Sequence, residues 1–322
     1  MAFLRQLVDS DFLKISASPD FDHFRSIERL GEAKSIPIDC KGFDSAFATV
    51  TLKSCSIYLQ RTFPRILQAS YSTSGAILGF AMNDRGSVVL NGVEGRAPAI
   101  LLVRGKASCE IVEPQANLVA FVNYDAIDDR GWPGERDQAS FIAIEPARFK
   151  TLQAVTGAIL LIASNSPDAL LQPLMIESLE ESLLKAVDDA MQAVLPAIDS
   201  KRSSLTNYLA LVRRFDEFLA ANAGRTLYSA EMARQLGVSV RTLHNAVVAI
   251  RGMSMHRYTR LRRLWNVRQQ LVQGAPTDAI KAVALVNGFW HMGEFISLYR
   301  DLFGETPQQT LSASRRHQSG LS

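Results

Sequence analysis

Two short patterns in the C-terminal third place residues that can read a polyanion beside the turns that would present them. Ala233-x-x-x-Gly237 is followed by Ser239, Arg241, Thr242, His244 and Asn245. Ala284-x-x-x-Gly288 is followed by His291, Met292, Gly293, Glu294, Ser297 and Arg300. Arg can meet guanine and Asn can meet adenine through paired hydrogen bonds, if both side chains stand on the exposed face of a helix near its start. Thr242 falls nearer the backbone, and Arg241 and His244 could equally touch phosphates alone. The second motif offers Met292, Gly293, Glu294 and Ser297 at the matching positions, so it is expected to act mainly as a clamp, with His291 and Arg300 near phosphates. Trp290 is expected to pack rather than to read.

Helices must carry these residues, and the spacing supplies them. A small residue in mid-helix lets a second helix approach closely, and Gly permits the left-handed turn between the two. Ser229 can cap a helix through Leu236. Ser239 can cap a second, Val240 to Arg251, with Leu243, Val247 and Ile250 inward. In the second copy, Thr277 or Asp278 opens a helix bearing Ile280, Val283 and Ala284. Gly288-Phe289 makes the turn, and His291 to Phe303 follows with Phe295, Leu298 and Leu302 inward. Between the copies, Met255 to Gln273 is a continuous helical pattern with Arg257, Arg260, Arg262, Arg263 and Arg268. A rigid connector of this kind would hold two recognition helices about one DNA turn apart, roughly 34 Å. Arg260, Arg262 and Arg263 are either phosphate contacts or a solvated helix face.

Charge separates along the chain in the same sense. The net charge is +3 over 322 residues. Residues 1–199 hold 18 Lys and Arg against 25 Asp and Glu, whereas residues 200–322 hold 17 against 7. A basic half beside an acidic one suits a nucleic-acid partner for the basic half.

The first half has the texture of short strands. Apolar or alternating runs at 46–52, 56–61, 76–82, 87–90, 99–103, 109–113 and 117–124 are separated by turn residues such as Gly75, Asn91-Gly92 and Gly105. Such spacing indicates an antiparallel sandwich or small barrel. Helical periodicity follows: Pro146 opens a helix through Val155, and 167–194 reads as one long helix with an acidic wet face. The expected organisation is a β-rich sensing domain over 1–145, a helical dimerisation or packing segment over 146–199, a linker at 200–204 and a DNA-binding domain over 205–322. The fold class is α+β, a β-barrel or sandwich plus helices, joined to an all-α domain of two helix-turn-helix motifs.

Other chemistries find little support. The scattered Cys40, Cys55 and Cys109 fit neither a disulfide framework nor a zinc site. His23 is the only histidine before residue 240 and lies outside the strands, so no metal is expected. No nucleophile elbow, P-loop or dinucleotide-binding glycine motif is present, so no enzyme and no cofactor is expected. No signal peptide or apolar span is evident, which predicts a cytoplasmic protein without a membrane partner.

The stretch SVRTLHNAVVAIRGMSMHRYTRLRRL (239–264) and IKAVALVNGFWHMGEFISLYRDLFGETP (280–307) resembles the DNA-binding domain of the AraC/XylS family of transcription regulators. The resemblance rests on Ser239, Leu243, Gly252, Tyr258, Arg263-Leu264, Val283-Ala284, Gly288-Phe289, Phe295, Tyr299, Phe303-Gly304 and Pro307. It implies double-stranded promoter DNA and RNA polymerase as partners, an activator, an effector bound in a cupin-like barrel, and a homodimer. Met255 stands where that family usually has Pro.

A second resemblance is local. Gln60-Arg61-Thr62-Phe63-Pro64-Arg65 followed by Ser70-Tyr71-Ser72-Thr73-Ser74-Gly75 is similar to the RxxxR and [D/N]xSxxG signature of PilZ domains. It implies cyclic di-GMP as effector, held by Gln60, Arg61, Arg65, Ser70, Ser72 and Gly75, with paired guanidinium groups on phosphate or guanine and a Ser-Gly turn offering backbone donors. Ser70 departs from the Asp or Asn of the motif. The alternatives are two arginines on an exposed hairpin, and a ligand-independent regulator whose N-terminal domain only dimerises.

Overall fold

A computed structural model describes the chain except for residues 1, 19–20, 22–30, 84–86, 97, 128, 196–201, 223–224, 226, 274–278 and 320–322. It forms two compact units. One comprises 1–35, 43–90 and 94–199, and the other comprises 200–322 with the short pieces 36–42 and 91–93.

Among the described residues, the first unit is built on a ten-stranded sheet backed by helices. Its strands are β1 (Leu13–Ser18), β2 (Gly31–Pro37), β3 (Ser45–Thr51), β4 (Cys55–Arg61), β5 (Arg65–Ala81), β6 (Ser87–Leu90), β7 (Val93–Arg96), β8 (Ala99–Glu113), β9 (Leu118–Tyr124) and β10 (Gln138–Ala143). The order is β1-β3-β4-β9-β5-β8-β6-β7, with β10 on β8 and β2 on β5. Its long central pairing, β5 with β8, is antiparallel.

Both faces of the sheet are buried, which explains why β4 is buried at every residue. Cys55, Ile57 and Leu59 point to one core, and Tyr58 between them points to the other. The first core is closed by α1 (Ala2–Gln6), α2 (Pro146–Asn165) and α3 (Pro173–Gln192), through Leu4, Leu152, Ile159, Leu160, Leu183 and Val187. The second core collects Tyr58, Leu67, Tyr71, Leu101, Val103 and Ile111 on the opposite face of the strands.

Three boundaries differ from the sequence expectation. Gly75 and Gly105 do not end strands but bend them. Thr73 pairs with Gly105, and the register shifts between Thr73 and Ile77. Gly105 has φ +77°, and a Cβ there would lie 2.3 Å from Asp137 Oδ1. A bulge of this type increases local twist, which lets the two long strands curl. The helix from Pro146 runs on to Asn165 rather than ending at Val155, started by Pro146 at its first turn and by the Glu145 side chain accepting from Ala147 N. The segment 167–194 is not one helix: a 3-10 turn (Pro167–Leu171) precedes α3, because Pro173 cannot continue a helix hydrogen-bond ladder.

Among the described residues, the 200–322 part of the second unit is built of helices: α4 (Arg202–Ala221), α5 (Ser229–Gln235), α6 (Val240–Arg251), α7 (Met255–Val272), α8 (Ala279–Val286), α9 (Met292–Phe303) and α10 (Pro307–Ser319). Helix α4 begins inside the stretch expected as linker, at Arg202. The expected opening of α8 at Thr277 or Asp278 lies outside the described residues.

Candidate nucleic-acid interface

Each half of the helical unit repeats one design. Gly237 (φ +70°) turns the chain between α5 and α6, and Gly288 (φ +82°) does so between α8 and α9. Ala233 and Ala284 are buried at the helix crossings, as their size allows. Ser239 caps α6 by accepting from Thr242 N at 3.0 Å. Helix α6 packs Leu243, Ala246, Val247 and Ile250 inward. Helix α9 packs Phe295, Tyr299, Leu302 and Phe303 inward, while Leu298, expected to be buried, is only half-buried.

The inward choice fixes the outward face. On α6, Ser239, Arg241 and Asn245 are exposed, and Thr242 and His244 are half-buried. On α9, His291, Gly293, Glu294, Ser297 and Arg300 are exposed and Met292 is half-buried. Residues three and four apart share one face of a helix. Arg241, His244, Asn245 and Val248 therefore form one strip, and Glu294, Ser297 and, a turn later, Arg300 form another. His291 stands at the N-cap of α9 without a capping side-chain bond, so its side chain satisfies none of the first N–H groups of that helix.

Two buried ionic networks hold these helices from behind. Asp216 on α4 accepts from Arg251 at 2.6 Å and from Tyr258 at 2.5 Å. Burial, with the Asp216 charge beside it, pushes the Tyr258 hydroxyl well above the ordinary phenol range. In the second half, Arg268 donates to Glu305 at 2.7 Å and to Thr310 at 3.1 Å, and Tyr299 lies 3.3 Å away. Burial raises Tyr299 to about 12. Arg268 is thus a structural member of the basic helix. Arg260 on the same helix is exposed, and Arg262 and Arg263 are half-buried.

Trp290 overturns the packing expectation: it is 66% exposed, directly before α9. Phe289 takes the inward place instead, its ring 5.1 Å from that of Phe295. In a Phe-Trp pair at a turn only one ring can enter the core, and the sequence does not say which.

In the β-rich unit the six proposed effector residues are not gathered into an exposed phosphate clamp. Arg61 is buried and paired with Asp44, and Arg65 is buried and donates to Glu113 at 2.6 Å. The exposed-hairpin alternative fails for the same reason. Ser70, Ser72 and Gly75 lie within β5 rather than in a turn, with Ser70 3.0 Å from Ser108. A Cβ at Gly75 would lie 1.9 Å from the Tyr124 carbonyl oxygen, so close strand approach explains that glycine. Gln60 is buried beside Arg61.

The residue signals missed in the sequence surround a cavity of about 60 Å³, lined by Thr62, Arg65, Glu113, Phe121 and Phe141 among others. Phe121 and Phe141 read only as strand residues. Cys40, Cys55 and Cys109 are buried as small apolar groups, and burial raises the Cys55 thiol to about 12. Among the described residues, no helix is long and apolar enough to cross a membrane.

Residues 232–313 match the family described as helix-turn-helix domain. The second unit is therefore a helix-turn-helix domain, the class that presents a recognition helix to DNA. Its relatives are regulators of transcription by name. The chain is 31% identical over 157 residues to a probable thc operon regulatory protein of Rhodococcus erythropolis, covering 46% of this chain and 44% of that one. It is 32% identical over 104 residues to a XylDLEGF operon transcriptional activator of Pseudomonas putida, covering 32% of each. The chain thus spans less than half the length of these curated relatives. A probable AraC family transcriptional regulator from Rhodopseudomonas palustris is 34% identical with a TM-score of 0.30, over 33% of this chain and 97% of that structure. These relatives are regulators by name, not enzymes.

Proposed function

We propose that this chain is a sequence-specific regulator of transcription that binds double-stranded promoter DNA through residues 205–322. The observation that carries the proposal is the pair of turn-presented helices, α6 and α9, whose apolar sides are buried and whose outward strips hold Arg241, His244 and Asn245, and Glu294, Ser297 and Arg300. Arg241 and Asn245 read bases, while His291, Arg300 and Arg260 contact phosphates. The β-rich residues 1–145 form the effector-sensing part, and 146–199 support a homodimer. Promoter activation through RNA polymerase in the cytoplasm completes the proposal, in keeping with what the relatives are named for.

Selection of duplexes from a random library on the full chain, followed by anisotropy titrations at several salt concentrations, tests this. A selected site bound far more tightly than a scrambled duplex, with affinity falling steeply as salt rises, is the expected result. Equal, weak binding to every duplex would overturn it.

A finer assignment makes the effector cyclic di-GMP, held by Gln60, Arg61, Arg65, Ser70, Ser72 and Gly75. Residue types favour it. The ion pairs of Arg61 with Asp44 and of Arg65 with Glu113 oppose it, because the ligand phosphates would have to replace both carboxylates. Calorimetric titration of the intact chain and of the Arg61→Ala/Arg65→Ala double variant decides: saturable heat lost in the variant supports it, and no heat in the wild type removes it.

A further inference from the structure

The cavity inside the β-rich unit has a built polar end. Its lining is mostly apolar, with Leu67, Leu101, Ile111, Phe121 and Phe141. Both rings sit over glycines. A Cβ at Gly79 would lie 2.9 Å from the Phe121 ring, and one at Gly95 would lie 2.5 Å from the Phe141 ring. The polar wall is a closed set. Glu113 accepts from Arg65 at 2.6 Å and from Thr62 at 2.8 Å, so its charge is already matched. Ser35 adds a weaker contact to Arg65 at 3.5 Å.

Gln60 is the group left over. On β4 it pairs with Val119 of β9, and Tyr58 pairs with Phe121. Directly paired residues of antiparallel strands project to the same face. Val119 and Phe121 line the cavity, so Gln60, not itself one of the lining residues, projects to the same side of the sheet behind them. It is 1% exposed, and among the described residues neither its Nε2 nor its Oε1 has a hydrogen-bond partner. A buried amide with both atoms unpaired is costly, and a ligand offering one donor and one acceptor would satisfy both.

We infer that this cavity binds a small, electrically neutral molecule with a donor-and-acceptor head, a carboxamide or an alcohol, on a short apolar body. The head meets Gln60 and the body lies against Phe121 and Phe141. Neutrality follows from the pairing: an anion would face the Glu113 carboxylate and could be compensated only by taking Arg65 from it. Size follows from volume. At about 10–15 Å³ per water-sized probe, the cavity suits about four to six non-hydrogen atoms. The inference rests on the effector-sensing role proposed for this unit, and it assigns that role to the interior of the sheet rather than to an exposed nucleotide clamp.

The test uses the full chain and three probes of similar size: isobutyramide, isobutanol and isobutyrate. Binding is followed by the methyl resonances of Leu67, Leu101 and Ile111, and affinity for a selected DNA site is measured on the same preparations. Isobutyramide and isobutanol are expected to saturate these shifts, and isobutyrate is not. Gln60→Leu, which removes the unpaired amide, should raise the unliganded Tm and weaken isobutyramide about tenfold, the effect of losing one good hydrogen bond. Leu101→Phe, which fills the cavity and leaves Gln60 in place, should abolish binding of both neutral probes. Saturation by isobutyrate at the same concentrations, no saturation by either neutral probe, or unchanged affinity in Gln60→Leu would each overturn the inference. DNA affinity in the unliganded chain separates this failure from failure of the regulator assignment, which falls only if no duplex is preferred.

Discussion

Arg251, in the last turn of α6, is completely buried and ion-paired with Asp216 of α4 at 2.6 Å. The same carboxylate takes the Tyr258 hydroxyl, so one acid ties α4, α6 and α7 together. Removing one partner of a buried pair leaves an uncompensated charge, at a cost of about 3–5 kcal/mol. Asp216→Ala should therefore destabilise the helical unit by that amount in chemical denaturation. An apolar pair, Asp216→Leu with Arg251→Met, should recover most of the loss. If Asp216→Ala unfolds like the wild type, the network does not hold the helix.

Base reading and phosphate contact leave different signatures. Arg241→Ala should cost about 1–3 kcal/mol on the preferred site and relax selectivity at one base pair. Arg260→Ala should weaken all duplexes alike and lower the salt slope by about one phosphate contact. Competition titrations with single-base variants separate the two. Equal losses on every duplex for Arg241→Ala would return it to the phosphate class.

Ser239 contributes through its cap. Its Oγ is the acceptor for Thr242 N, so Ser239→Ala should lower stability by about 1 kcal/mol, and Ser239→Gly by only a few tenths. Urea unfolding monitored by far-UV circular dichroism checks the ranking, and equal losses for both variants would contradict a capping role.

Gly105 should resist any side chain. With φ +77° and Asp137 in the path of a Cβ, Gly105→Ala combines backbone strain with a clash. A loss of about 1–3 kcal/mol is expected for such a position. Thermal unfolding measures it. Gly42, also at positive φ but with open space around it, provides the comparison and should lose less.

Acid should loosen the packing of α3 onto the sheet. Arg130 and Trp132 both donate to Asp188, and the Arg130 bond, opposed by partial burial, holds that carboxyl below its usual range. A depressed folded pKa gives stability that is present above the unfolded value of about 3.9 and lost as pH falls through the folded one. Tm should thus decline below about pH 4, and Asp188→Asn should flatten that limb. Trp132 emission reports the same step; an unaltered acid limb in Asp188→Asn would exclude the linkage.

Much of the helical unit was legible because its signals are local. Ser239 at a cap, Gly237 and Gly288 at left-handed turns, and a 3.6-residue apolar rhythm act within a few neighbours, so α6 and α9 fall where the spacing put them. Beyond that range the sequence misleads. Gly75 looks like a turn residue at the end of an exposed motif, yet β5 runs from Arg65 through Gly75 to Ala81.

The sequence by itself determined the repeated helix-turn-helix, its basic charge and the residue types on its outward strips, since periodicity and turn chemistry decide those without long-range contacts. Tertiary structure alone decided which polar groups are spent. Asp44 and Glu113 neutralise Arg61 and Arg65, Phe289 rather than Trp290 turns inward, and Gln60 is left unpaired among the described residues. Charge pairing and strand register join residues tens of positions apart, and whether a buried group is satisfied depends on those partners rather than on its neighbours in the chain.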